Sequence, residues 1–115
     1  MRLPPLGNWK TSLVQTTGTS PLGEITLAGT IAKSRGIRPD RPRLFGQWAI
    51  VYLVAGTGKY HDARGTDIPL QAGDVILVFP EVAHSYGPEP GGIWNELHIC
   101  FRGPVFEAWR EAEIF

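Results

Sequence analysis

Apolar residues in this chain come in short runs bounded by glycine, proline and aspartate, and a helical period appears only at the carboxyl end. The longest run, QWAIVYLVA at 47–55, predicts the strongest strand. Gly56-Thr57-Gly58 predicts a turn that folds it back onto Lys59-Tyr60-His61 as a hairpin. Arg64-Gly65 predicts the next turn, residues 67–70 a short strand, and Ala72-Gly73 another turn. Val75, Ile76, Leu77, Val78 and Phe79 then form an unbroken β-branched and aromatic run, stopped by Pro80, that predicts a buried strand. Upstream, residues 12–16 and 23–31 predict two further strands, the second with Ile25, Leu27 and Gly29 on one face.

The most informative run is 94–101. Pro88, Pro90, Gly91 and Gly92 exclude a helix before it, so it is expected to pair with the 75–79 run as a hairpin with a long loop. Side chains two apart share a face of a strand, which makes Leu97, Ile99 and Phe101 an apolar face. Trp94, Glu96, His98 and Cys100 make a mixed face, with a carboxylate and an imidazole between an indole and a thiol. Alternation alone leaves two readings open. The polar face looks at water from a half-buried strand, or it lines a cavity.

From Pro104 onward, Val105, Phe106, Ala108, Trp109 and Ala112 give an amphipathic pattern of about two to three turns. No glycine cap or stop signal follows, so the chain is expected to be cut within a longer element. The organisation expected is therefore an N-terminal arm over 1–22, an all-β barrel or sandwich over 23–103, and the start of a helix over 104–115.

Composition narrows this further. A chain of 115 residues suits one domain, and 14 glycines with 10 prolines favour many turns and short elements. Formal net charge is zero, so no global field favours nucleic acid or an anionic membrane. The first residues hold no apolar run of signal-peptide length, and no membrane-length apolar stretch occurs, which points to the cytoplasm. The single cysteine, Cys100, excludes an internal disulfide and reads as a buried, inert thiol. The basic segment KSRGIRPDRPR at 33–43 reads as a solvated loop.

Candidate chemistry is sparse. His61, His84, His98 and Glu96 are ligand types for zinc, iron or manganese, but their spacing does not make a metal site and no cofactor is expected. No serine or cysteine has a histidine and an acid in a recognisable nucleophile setting, and Gly56-Thr57-Gly58 joins two strands instead of cradling phosphate before a helix. What remains is Arg41, Tyr86, Glu96 and His98 with nearby aromatics, a set able to hold a neutral polyhydroxylated ligand over an apolar floor.

The order of motifs adds a family. A Trp-led apolar strand is followed by Gly-x-Gly-x-Tyr at 56–60, Pro-Leu-x-x-Gly-Asp at 69–74, Pro-x-x-x-His-x-Tyr-Gly at 80–87 and Trp-x-x-x-His-Ile-x-Phe-x-Gly at 94–103. Across roughly residues 23 to 113 this resembles the N-terminal effector-binding cupin domain of AraC-family transcriptional regulators. The resemblance implies a cupin-like double-stranded β-helix, a jelly-roll barrel that binds a small effector inside and forms a homodimer. DNA would be contacted only through a C-terminal helix-turn-helix domain, and the chain would not be an enzyme.

Carried over residue by residue, Arg41 in Asp40-Arg41-Pro42 looks like the family's sugar-contacting arginine, Tyr86 like its ligand-contacting tyrosine, and Glu96 and His98 like pocket-facing positions. The sugar-responsive archetype has a histidine and a sugar-stacking tryptophan at the last two positions, so its own sugar does not transfer. Glu81 stands where that family usually has glycine. The expected ligand is a carbohydrate or similar polyol. The rival classes are a small metal-dependent cupin enzyme of isomerase or dioxygenase type, and a free-standing cupin that binds a ligand without regulating DNA.

Overall fold

A computed structural model describes residues 10–15 and 20–115. It contains seven strands, β1 (Ser12–Gln15), β2 (Glu24–Ile31), β3 (Trp48–Asp62), β4 (Asp67–Gln71), β5 (Val75–Val78), β6 (His84–Pro88) and β7 (Trp94–Arg102), followed by one helix, α1 (Pro104–Glu111). Thr16, expected to close the first strand, and most of the 1–22 arm lie outside the described residues. Every strand pairing is antiparallel. The fold is all-β, as the spacing of short runs and turns predicts.

The main departure from the sequence expectation is at Gly56-Thr57-Gly58. No turn forms there; β3 runs through for 15 residues and belongs to both sheets of the barrel. Its first part, from Trp48 to Leu53, lies between β5 and β7, in a sheet ordered β1-β2-β7-β3-β5. Its second part, from Thr57 to Asp62, lies between β4 and β6. The register shifts between Leu53 and Ala55, and the strand bends from one sheet into the other.

The glycines serve that bend. Gly56 has φ 109, and a Cβ there would run into the Ile93 carbonyl, while a Cβ on Gly58 would meet the Gly87 carbonyl and the Trp94 ring. A Gly-x-Gly that reads locally as a turn is a place where neighbouring backbones come closer than any side chain allows.

Two further expectations are corrected. The runs at 75–79 and 94–101 do not pair with each other: β5 and β7 occupy opposite edges of β3, and β6, formed within the intervening segment, pairs with the far part of β3. Nor is β5 buried on both faces, since Ile76 and Val78 are buried but Val75 is exposed. Among the described residues, no helix is long and apolar enough to cross a membrane.

Alternating residues of β3 build two cores. Ala49, Val51 and Leu53 face the barrel interior with Tyr60, Leu70, Ile76, Val78, Tyr86, Trp94 and Cys100. Trp48, on the other face, is buried by α1 and by its cross-strand partner Phe101. Phe79 and Phe115 lie 5.1 Å and 4.9 Å from the Trp48 ring, and Phe106 lies 4.5 Å from Phe101. Arg110 of α1 sits over Trp48 at 4.5 Å and pairs with Glu81 through two contacts of 2.8 Å and 2.9 Å. Glu81, which departs from the family pattern, thus anchors the helix.

The helix does not run to the last residue. It ends in a Schellman motif, with Glu113 N–H bonded to the Arg110 carbonyl and Ile114 N–H to the Trp109 carbonyl, each at 2.9 Å. Glu113 takes φ 59 to allow this, a position usually given to glycine, which is why no stop signal is legible in the sequence.

The bend in β3 is testable. Gly56→Ala is expected to cost about 3 kcal/mol of stability through strain and collision. Gly65→Ala, at φ 87 with open space around it, is expected to cost only about 1 kcal/mol. Urea denaturation of both variants checks the difference, and equal costs would argue against the close-approach explanation.

Candidate functional site

The barrel holds a cavity of about 250 Å³. Leu27 and Ile31 of β2, Ala49 and Val51 of β3 and Cys100 of β7 form its apolar wall. Tyr86, Glu96, His98, Arg43 and Ser34 bring polar atoms to it. The inward face of β7 decides between the two readings that alternation left open: Glu96 is 3% exposed and His98 9%, both inside the barrel, while Leu97 and Ile99 on the opposite face are only partly buried.

A buried carboxylate needs donors, and β7 supplies them along its own inward row. Trp94 Nε1–H donates to Glu96 Oε1 at 3.0 Å. The other oxygen, Oε2, lies 3.4 Å from His98 Nδ1. That second contact is not a hydrogen bond, and among the described residues Nδ1 has no hydrogen-bond partner. One carboxylate oxygen is therefore held by the scaffold and the other is left near the imidazole.

Tyr86 projects from the middle of β6. Its ring stacks between His84 and Trp94, with centroids 5.8 Å away on each side. Burial, with the Glu96 charge added to it, pushes the phenol well above its ordinary pKa. Tyr86 is thus a neutral hydroxyl, able to donate and to accept. Burial also pushes the Cys100 thiol up, which keeps it protonated and unreactive.

The segment between β2 and β3 closes one side of the site. It bridges to the edge of β6 through Ile37 N–H to the Tyr86 carbonyl at 2.7 Å, Arg43 N–H to the His84 carbonyl at 2.8 Å, and His84 N–H to the Arg43 carbonyl at 3.0 Å. Ser34 N–H donates to the Trp94 carbonyl at 2.8 Å. These bonds make a strap of what reads in sequence as a solvated loop.

The strap also decides which arginine enters. Arg41 is exposed on a turn, its N–H bonded to the Arg38 carbonyl at 3.0 Å, and it does not line the cavity. Arg43 lines it instead, with Cζ 4.3 Å from the Phe45 ring centroid. Of the four residues expected at the site, the structure brings Tyr86, Glu96 and His98 together and leaves Arg41 outside. No local signal in a segment with four arginines marks Arg43; its position follows from its pairing with His84 across the strand edge.

The remaining histidines lie outside this cavity. His84 is 1% exposed, with Nδ1 3.1 Å from the Val82 carbonyl and Nε2 without a partner among the described residues. Burial holds its pKa below 6.5. His61 lies 3.4 Å from Asp67 at the barrel's surface. Among the described residues, no three histidine, cysteine, aspartate or glutamate side chains converge as a metal ion requires.

Residues 25–115 match the family model of the AraC-like ligand binding domain. No curated protein matches the chain by sequence. Among solved structures, the protein YhaK from Escherichia coli superposes with a TM-score of 0.65 at 13% identity, over 84% of this chain and 46% of YhaK, so this chain spans about half of that protein. A Cupin 2 conserved barrel domain protein from Salinispora arenicola gives 0.55 at 15% identity, over 100% of this chain and 98% of that one. A cupin protein from Bacteroides fragilis gives 0.54 at 15% identity, covering 81% and 83%. These similarities carry the fold: a cupin barrel, the double-stranded β-helix that the order of motifs implies.

Two measurements probe the buried polar groups. A double-mutant cycle of Trp94→Phe with Glu96→Gln is expected to give a coupling energy of about 1–2 kcal/mol, and a value near zero would mean the indole does not hold the carboxylate. For His84 the folded state resists protonation, so its contribution to stability is complete above pH 6.5 and is lost as pH falls below that value. Denaturation at a series of pH values should show wild type losing stability more steeply below pH 6.5 than His84→Gln does.

Proposed function

The chain belongs to the family of AraC-like ligand-binding domains, and we propose that it is the small-molecule-sensing and dimerising part of a cytoplasmic transcriptional regulator. DNA contact falls to a helix-turn-helix domain of the full-length regulator, not to this barrel. The observation that carries the reading is the cavity itself: an apolar wall with Tyr86, Glu96 and His98 converging on it from two strands.

The site suits binding better than turnover. One Glu96 oxygen is held by Trp94 and the other faces His98, the Tyr86 hydroxyl is neutral, and Cys100 is a protonated thiol. These groups give orientation and hydrogen bonds to a hydroxylated molecule, and supply no activated nucleophile. A carbohydrate or other polyol fits the set: hydroxyls donate to Glu96 and exchange hydrogen bonds with Tyr86, while C–H faces rest on Leu27, Ile31 and Val51.

The fold offers a route from site to output. Ala49 and Val51 touch the cavity, while Trp48, on the other face of β3, is bonded to Glu107 of α1 at 3.1 Å. Cys100 and Phe101 of β7 divide in the same way. A ligand that favours one setting of these strands biases how α1 and the strap pack, and with them a dimer and its DNA-binding domains.

A thermal-shift screen over sugars, polyols, organic acids and aromatics tests the reading. A hydroxylated ligand at about one hundred times its Kd is expected to stabilise the fold by about 2.7 kcal/mol. Glu96→Ala or Tyr86→Phe should weaken that response. Stabilisation confined to compounds without hydroxyl groups would refute the polyol assignment.

A further inference from the structure

Arg43 is the cation of the cavity, and among the described residues it has no anionic partner. Arg38, Arg64, Arg102 and Arg110 pair with Asp40, Asp62, Glu24 and Glu81 respectively. Arg35 and Arg41 are exposed, where water serves. Arg43 is partly buried, takes part in none of the ion pairs among the described residues, and has a buried Nε with no hydrogen-bond acceptor. Its guanidinium lies over the Phe45 ring and beside the neutral Tyr86 hydroxyl.

The carboxylate that shares its cavity is engaged elsewhere. Glu96 shares the cavity, but its oxygens face Trp94 Nε1 and His98 Nδ1. The cavity therefore presents a guanidinium fork at one wall and a carboxylate at another, not joined to each other. A partly buried guanidinium with no counter-ion, whose Nε is cut off from solvent, favours an anionic ligand, and its planar fork matches a carboxylate.

We propose that the ligand is a small hydroxy acid, its carboxylate on Arg43 and its hydroxyl groups on Glu96 and Tyr86. This rests on the reading of the barrel as a sensor of small hydroxylated molecules and names the charge that reading leaves open. The opposed charges also set direction: turned end for end, such a ligand brings two carboxylates together at Glu96 and leaves Arg43 unpaired. A neutral polyol fills the same space and accepts from the Arg43 Nε–H through a hydroxyl oxygen, but it brings no counter-charge and no bidentate match to the guanidinium, so the acid is held more tightly. The volume of about 250 Å³ lies below the range of roughly 300–1,000 Å³ that drug-sized ligands occupy, so the acid is a small one.

The test is calorimetric titration of the 115-residue protein with matched pairs: glucuronate and glucose, galacturonate and galactose, gluconate and sorbitol, glycerate and glycerol. The acid of at least one pair is expected to bind about tenfold or more tighter than its neutral partner, a difference of about 1.4 kcal/mol. Arg43→Gln should bring that ratio close to one, and Arg43→Lys, which keeps charge but not the fork, should restore part of it. If Arg43→Gln fails to fold, the wild-type ratio alone decides. Equal or tighter binding of the neutral partner in every pair that binds overturns the acid assignment while the sensor reading stands. An acid preference that survives in folded Arg43→Gln overturns the role of Arg43. If no member of any pair binds, the hydroxylated-ligand reading itself fails, and this inference fails with it.

Discussion

The barrel depends on one strand being paired along both edges for nearly its whole length. β3 hydrogen-bonds to β5 and β7 before its bend and to β4 and β6 after it, so four of the other six strands are ordered by it. A 15-residue strand of this kind has to curve, and the curve is concentrated where Gly56 and Gly58 let the Ile93 and Gly87 carbonyls approach the backbone. Side chains there would collide with the strands paired to β3, at the start of β7 and within β6.

The site is built into the same framework. β7 runs beside the first part of β3, and its inward row carries an indole, a carboxylate, an imidazole and a thiol where a plain core would place aliphatic groups. Burying Glu96 is tolerable because Trp94, two residues earlier on the same face, donates to it. That self-supplied bond spares one oxygen for the cavity side, so polar chemistry is held in the interior without a second strand having to satisfy it. Tyr86, stacked between His84 and Trp94, joins β6 to the same arrangement.

The outer face carries the other half of the design. Trp48 and Phe101, which alternate with cavity-lining Ala49 and Cys100, are covered by Phe106, Arg110 and Phe115. Ligand wall and helix seat are thus separated by one peptide unit of the same two strands, and close packing makes displacement on one face felt on the other. The bidentate pair of Arg110 with Glu81 ties the helix to the loop between β5 and β6, two strands of different sheets.

Glu96 and His98 were legible as a pair because a strand has period two, and their neighbours Leu97 and Ile99 name the other face. The strand positions near 24–31, 67–71 and 75–78 and the start of α1 at Pro104 were equally local, and the order of motifs carried the cupin barrel and its family. What local pattern misread was each feature whose cause lies far along the chain. Gly56-Thr57-Gly58 has the composition of a turn, and only the arrival of β4 and β6 on either side makes it a bend within a strand. Arg41 and Arg43 have similar sequence settings, and the bridge from Arg43 to His84 decides which enters the cavity. The helix end at Glu113 needs a left-handed residue that composition does not announce. Sequence alone determined the residues' periodicity, and with it the faces they share, because that depends on backbone geometry within a few residues. Tertiary structure decided the pairing partners, the close approaches and the unpaired charge of the cavity, because those depend on backbone and side-chain groups brought together from distant parts of the chain.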